Sequence, residues 1–308
     1  MNKKEFIEAL VREIKSIVGE EYDVKNNQVT KNNGIILEGI AILKKGEVTA
    51  PNIYIDSCYE EYRMGKPVNS IAHDVVRQNN SIDRIDVNTN DFLNYENVKD
   101  KIICRVVNYE KNMEELQNCP YILYCDMAIT FRILHSKDEK GLATSLIHNR
   151  ELEIWDVDKA ELMKVAISNT QREFPHTIHS LTSVIRDSFG GSLPRELQEE
   201  FDKDMELIES VSNTPRLYVL SNDSGMNGAT SILYDGLLKE VADKYKTNLY
   251  ILPSSLHQVM LVPENDSCDV DFLKSMVIDA NTTAVGEIDF LSNNIYYYDR
   301  ETDNVTIV

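Results

Sequence analysis

No apolar run in the sequence approaches the ~20 residues that a helix needs to cross a bilayer. The best candidates, residues 35–43 and 121–134, are interrupted by Glu38 and by Asp126 and Arg132. Residues 1–18 carry scattered charges and no apolar leader core, so a secretory signal is not expected. Basic residues are scarce: 32 Lys and Arg stand against 51 Asp and Glu, a formal net charge of −19. That deficit argues against a nucleic-acid binder, whose affinity comes from cations laid on phosphates. It also argues against docking on an anionic membrane. The five cysteines, Cys58, Cys104, Cys119, Cys125 and Cys268, are odd in number and show no Cys-x-x-Cys spacing. Neither a disulfide framework nor a zinc ribbon is expected. The thiols read as small apolar core residues in a reducing compartment, so the expected location is cytoplasmic.

What is present is a globular composition. The chain has 308 residues, 42% hydrophobic and 27% charged. At ~150 residues per domain this makes one large domain or two, with enough core to fold without staples. Phe6, Ile7, Leu10, Val11, Ile14, Ile17 and Val18 recur every three or four residues and predict an amphipathic helix stopped by Gly19. Residues 34–43 are rich in β-branched side chains and predict a strand, with Gly39 as a bulge. Helices are expected over 57–63 and 68–78, broken by Gly65-Lys-Pro67. Residues 79–94 are polar without a period, a loop or a fraying helix end. Residues 97–107 are apolar with a mixed pattern and stay unassigned. Residues 121–134 and 142–157 predict the two strands of a hairpin joined by the charged turn 136–141.

Asp158 with Glu161, and Val157 with Leu162, supply the cap and the staple of a helix that ends at Phe174-Pro175. A helix is expected over 176–189, a linker at Gly190-Gly-Ser-Leu-Pro194, and a helix over 195–211. The last third alternates. A strand at 217–220, a small-residue loop at 221–228 and a helix at 229–245 come first. A strand at 248–252, a turn at 253–255, a returning strand at 256–262 and a short helix at 269–276 follow. The end reads as a strand pair, 286–291 and 295–308, in which Tyr297 faces away from Tyr296 and Tyr298. The expected fold class is α+β, with mostly antiparallel sheets built from hairpins and helices packed on them. The expected regions are 1–112, an N-terminal α+β region; 113–191, a hairpin plus helices; and 192–308, a C-terminal α+β region, the last two joined or separate.

Four stretches carry a resemblance. They are Ala50-Pro-Asn-Ile-Tyr-Ile-Asp56 with Tyr59-Glu-Glu-Tyr62; Leu217-Tyr-Val-Leu-Ser-Asn222 with Gly228-Ala-Thr-Ser-Ile-Leu-Tyr234; Asn248-Leu-Tyr-Ile-Leu-Pro-Ser-Ser-Leu-His-Gln-Val-Met-Leu-Val-Pro263; and Tyr298-Asp-Arg-Glu-Thr-Asp-Asn-Val-Thr-Ile307. Together they resemble a family of uncharacterised proteins of this length from anaerobic gut bacteria, a domain of unknown function. The order of hairpin, capped helix, strand, helix and strand is more distantly similar to the YtpQ-like proteins. The resemblance implies a recurring architecture and carries over no activity, cofactor or functional residue.

Several constellations are candidates for chemistry. On a helix, His176 and His179 would stand about 60° apart, on one face, the edge of a metal site. Asp187 lies roughly 12 Å further along and could not join the same ion, and no His-Glu-x-x-His is present. The loop residues Ser224, Gly225, Asn227 and Gly228 follow a strand and precede a helix, where backbone N–H groups can hold an anion or cofactor. The loop lacks a P-loop lysine, and Asp223 would repel phosphate, so a capped turn is the plainer reading. Ser255 and His257, two apart, would share a strand face as nucleophile and base. They have no Gly-x-Ser-x-Gly elbow, and a polar hairpin edge is the plainer reading. The helix at 195–211 carries Glu199, Glu200, Asp202, Asp204, Glu206 and Glu209 opposite Leu197, Phe201, Met205 and Ile208. Such a face is either simply solvated or a surface that steers toward a basic partner, even as an acidic mimic of nucleic acid. The expected function is therefore a non-enzymatic protein-binding or regulatory module, with a hydrolase or metal-assisted enzyme as the alternative. The expected partner is another protein, with self-association left open, and neither nucleic acid, membrane nor cofactor is expected.

Overall fold

The computed structural model of the chain describes residues 1–47, 50–82, 91–138, 141–189, 194–210, 216–264 and 269–308. The chain divides into two compact units, Met1–Thr89 and Asn90–Val308. The class is α+β, and the sheets are antiparallel throughout.

The first unit opens with α1 (Lys3–Val18). The Asn2 side chain accepts from the Glu5 N–H and the Glu5 carboxylate accepts from the Asn2 N–H, which satisfies two of the helix's free donors. Gly19, at φ 77°, ends it. Strands β1 (Tyr22–Thr30), β2 (Ile36–Lys44) and β3 (Asn52–Tyr54) form one sheet in that order, followed by α2 (Asp56–Arg63) and α3 (Val68–Ser81). Phe6, Leu10 and Ile14 of α1 are fully buried in one cluster with Ile40, Ile42, Ile71 and Val75. Each contributes about 1.5–3 kcal/mol by leaving water. Gly39 is not a bulge: it pairs in regular register with Asn27 and Tyr54. A Cβ there would meet the Asn52 side-chain amide, which would have to shift to make room. Strand β1 was not legible in sequence, because its polar stretch is exposed and only Val24 is buried. Backbone pairing with β2 along its whole length holds it.

The second unit holds two sheets. After α4 (Tyr95–Val98) come β4 (Ile102–Asn108), α5 (Met113–Leu116), β5 (Tyr121–Tyr124), β6 (Met127–Asp138) and β7 (Gly141–Leu146). The long β6 pairs with β4 on one edge and with β5 and β7 on the other. Residues on either side of position 112 therefore share one sheet. Then follow α6 (Asn149–Trp155), α7 (Lys159–Glu173), β8 (His176–Ser180), α8 (Leu181–Phe189), α9 (Arg195–Ser210), β9 (Tyr218–Asn222), α10 (Leu237–Tyr245), β10 (Leu249–Ser255), β11 (Gln258–Pro263), α11 (Val270–Thr283), β12 (Tyr296–Asp299) and β13 (Asn304–Ile307). The second sheet runs β13-β12-β10-β11-β9-β8. Leu249 and Ile251 of β10 enter the main core, whereas Tyr250 and Leu252 meet Leu273 and Val277 of α11 on the other face. A strand covered on both sides reads as a continuous apolar run, as this one does. Tyr296 and Tyr298 are buried in the main core and Tyr297 packs on the α11 side, as the alternation predicts. Asp126, in the turn between β5 and β6, accepts from Ser292 Oγ (2.7 Å), Asn294 Nδ2 (3.0 Å) and the Tyr296 hydroxyl (2.6 Å), so this turn is tied to the C-terminal segment.

Further expected elements differ. The helix expected over 176–189 begins only at Leu181; His176–Ser180 is a strand, because its backbone pairs with β9. The expected strand over 142–157 ends at Leu146, and Asn149–Trp155 is a helix started by the Glu151 carboxylate accepting from the His148 N–H at 2.8 Å. The helix expected over 229–245 is split into a 3-10 turn (Gly228–Leu233) and α10, whose entry Gly236 takes φ 72°. Residues 286–291 form no strand; Asp289 offers one carbonyl bond, to the Leu256 N–H. The expected cap at Asp158 is present, accepting from the N–H groups of Ala160 and Glu161. The linker expected at 190–194 falls, for residues 190–193, outside the described residues, as do Val211 and Cys268. Cys58, Cys104, Cys119 and Cys125 are free thiols. Among the described residues, no helix is long and apolar enough to cross a membrane.

Candidate functional site

Two of the sequence candidates come together in the second unit. Strand β9 delivers the loop after Asn222, and the β10–β11 hairpin delivers Ser255 and His257. Ser255 pairs with Gln258, so Leu256 and His257 form a two-residue turn, not the start of a strand, and the turn expected at 253–255 is strand. The two segments interlock. The Ser221 hydroxyl donates to the His257 carbonyl at 2.7 Å, and the Ala229 N–H donates to the Leu256 carbonyl at 3.1 Å. Gly228 lies in the crossing, and a Cβ there would overlap Ser221 Oγ and the His257 carbonyl oxygen.

The bonding within this cluster decides what it can do. His257 Nδ1 accepts from the Asn227 N–H at 3.3 Å, so the ring proton sits on Nε2, which faces Asp289 Oδ1 at 3.2 Å. Both ring nitrogens are thereby engaged, and the ring has no lone pair with which to deprotonate a serine. Ser255 Oγ accepts from the His257 backbone N–H at 3.0 Å. The arrangement is a pinned turn. The loop amides are engaged too. The Ser224 N–H donates to Asn222 Oδ1, the Gly225 N–H to the Asn222 carbonyl and the Met226 N–H to Ser224 Oγ. Asp223 pairs with Lys137 at 3.1 Å. Gly225 and Asn227 occupy left-handed conformations, φ 67° and 54°, which the tight reversal requires.

His176 and His179 lie on strand β8, where an odd separation puts them on opposite faces; both are exposed. The helical geometry that would have aimed them at one ion is absent. Among the described residues, no group of three or more His, Cys, Asp or Glu is placed to hold a metal.

The structure adds a constellation that the sequence reading passed over. Arg105 of β4 and Arg132 of β6 line a cavity of about 20 Å³ together with Thr144, Asn222, Met226 and Asn227. Arg132 Nε donates to Thr144 Oγ1 at 2.8 Å. Arg105 Nε is buried and has no hydrogen-bond partner. Burial, and then the neighbouring Arg132 charge, push the Arg105 pKa down to about 9; burial lowers that of Arg132 as well. Glu115 acts on both only at longer range. A signal was present: each arginine interrupts an apolar strand, as Arg132 does within 121–134.

The comparison with family models covers nearly the whole chain: residues 3–300 match the model described as a family of unknown function (DUF5688). The chain belongs to the DUF5688 family. This is a family without an assigned activity, as the resemblance implied, and membership brings no ligand or residue role to the DUF5688 chain. No curated protein and no solved structure matches it.

Proposed function

We propose that the protein is a non-enzymatic binding or regulatory module that engages a basic protein partner through α9. The observation that carries this reading is the surface of that helix. Glu199, Glu200, Asp204 and Glu206 are exposed on it, beside the exposed apolar side chains of Leu197 (50%) and Leu207 (64%). Phe189, at the end of α8, is 59% exposed. A solvated helix face normally lacks large apolar groups among its charges. Exposed apolar groups on a helix whose exposed carboxylates outnumber its exposed Lys203 fit a partner of the opposite sign, which the field of a chain at −19 would steer inward. Binding over catalysis is supported by the His257 cluster, whose hydrogen-bonding groups hold the turn. The free thiols suit a cytoplasmic setting.

The test is native mass spectrometry of the chain recovered gently from its own cells, in parallel with a Glu199→Lys/Glu206→Lys variant. A protein-sized added mass that falls away with rising salt and is missing from the variant is expected. An added mass indifferent to both changes, or a chain with none, overturns the reading.

A further inference from the structure

We propose that Arg105 and Arg132 form a site that takes one small anionic group: a halide ion, or a single oxygen of a carboxylate or phosphate. The site is separate from α9 and does not rest on the reading given for that helix. In the β4–β6 ladder, Arg105 stands opposite Thr130 and Arg132 opposite Ile103. The two arginines are therefore diagonal neighbours on one face of a sheet, roughly 7–8 Å apart at the backbone. Two strands fix the backbones, the bond to Thr144 holds Arg132, and both side chains line the same cavity.

Their charges are answered from within only at a distance, by Glu115. Arginine stays protonated at neutral pH even when its pKa is pushed down to about 9, so the cavity carries two like charges. Among the described residues neither guanidinium is in an ion pair, and Arg105 Nε makes no hydrogen bond. Both side chains keep partial contact with solvent, but Arg105 Nε is buried, and a polar atom buried without an acceptor is costly. Among the described residues no carboxylate forms an ion pair with either guanidinium, although acidic residues outnumber basic ones in the sequence. The donors match an anion in kind: two guanidinium forks, and a Thr144 hydroxyl that accepts from Arg132 and so keeps its own proton to donate. A cavity of about 20 Å³ has room for about one water-sized group, a halide ion or a single oxygen of a carboxylate or phosphate. The Ser221–Gly228 loop contributes Asn222, Met226 and Asn227 as wall; its amides are bonded elsewhere.

The test is thermal unfolding of the full chain in chloride, acetate or phosphate, against a bulky sulfonate buffer anion at matched ionic strength. At least one small anion is expected to raise Tm with the logarithm of its concentration, by about 5 °C or more at 100 times its dissociation constant. The anion that does so separates the halide, carboxylate and phosphate sources. Arg105→Met should fold, be no less stable than the parent in the bulky-anion buffer, and lose the response. Equal Tm values in all four anions, or a response retained by Arg105→Met, overturn the proposal. If that variant fails to fold, crystals of the parent protein soaked in bromide decide the matter. An anomalous peak between the two guanidiniums is expected, and its absence overturns the site.

Discussion

Two neighbouring regions of the second unit share a wall and treat their polar groups in opposite ways. At the β10–β11 turn, His257 has a partner for each ring nitrogen, Ser255 accepts a backbone proton, and the loop that crosses it bonds its own amides. At the arginine cavity, one guanidinium nitrogen is buried and unpaired and two like charges face the same space. The first has the residue types of a catalytic site and the bonding of a structural one. The second has no motif, yet holds binding capacity that the protein does not satisfy by itself. Unsatisfied buried charge is the better marker of a site, because burying it costs stability that packing alone would not require.

The comparison is most easily broken at Gly228. If the loop and turn are locked as described, Gly228→Ala should cost about 3 kcal/mol, since the new methyl meets the His257 carbonyl, which is backbone and cannot swing aside. Denaturant midpoints of the two proteins measure it. A loss below about 0.5 kcal/mol would mean that the crossing is loose, and a loose crossing would return His257 to the list of mobile groups.

A smaller effect is expected at His257. Replacing the ring by alanine removes the acceptor for the Asn227 N–H and the partner of Asp289. Both are part-buried, so the expected loss is about 1 kcal/mol by the same denaturation measurement. No loss at all would show that the ring is not a staple, and the contrast with the arginines would narrow.

How much of this was legible before the structure depends on the range of the interaction. The helix start at Asp158 was readable because a cap is a local bond between residues two or three apart. The face of α1 was readable from period, and β10 from its apolar run, while the turn between β10 and β11 was expected at 253–255 and lies at 256–257. His176–Ser180 was not, since its pattern of Ile178, Leu181 and Ile185 fits a helix and only pairing with β9 makes it a strand. Nor was the Asp289 partner of His257, which lies 32 residues away in a segment without regular structure. The interlock of the 221–228 loop with the Ser255–His257 turn joins two candidates that the sequence offered as unrelated. Arg105 and Arg132 were visible only as charges interrupting apolar strands. Their meaning needed the β4–β6 register, which puts both on one face.

The smallest expected change is also the one with the unusual sign. Arg132→Met removes a buried cation and its bond to Thr144, and fills much of the same volume with apolar atoms. Losing a hydrogen bond to a charged group costs about 1.5–3 kcal/mol, while relieving the burial and the repulsion from Arg105 returns a similar amount. In a buffer of bulky anions the net should lie within about 1 kcal/mol of the parent, on the stabilised side or at zero. In a buffer containing the bound anion the parent gains and the variant does not, so the order reverses. Denaturation in the two buffers reads both differences. If Arg132→Met is strongly destabilised in both, the arginine is held for packing and its bond to Thr144, and the cavity belongs with the pinned turn rather than opposite it.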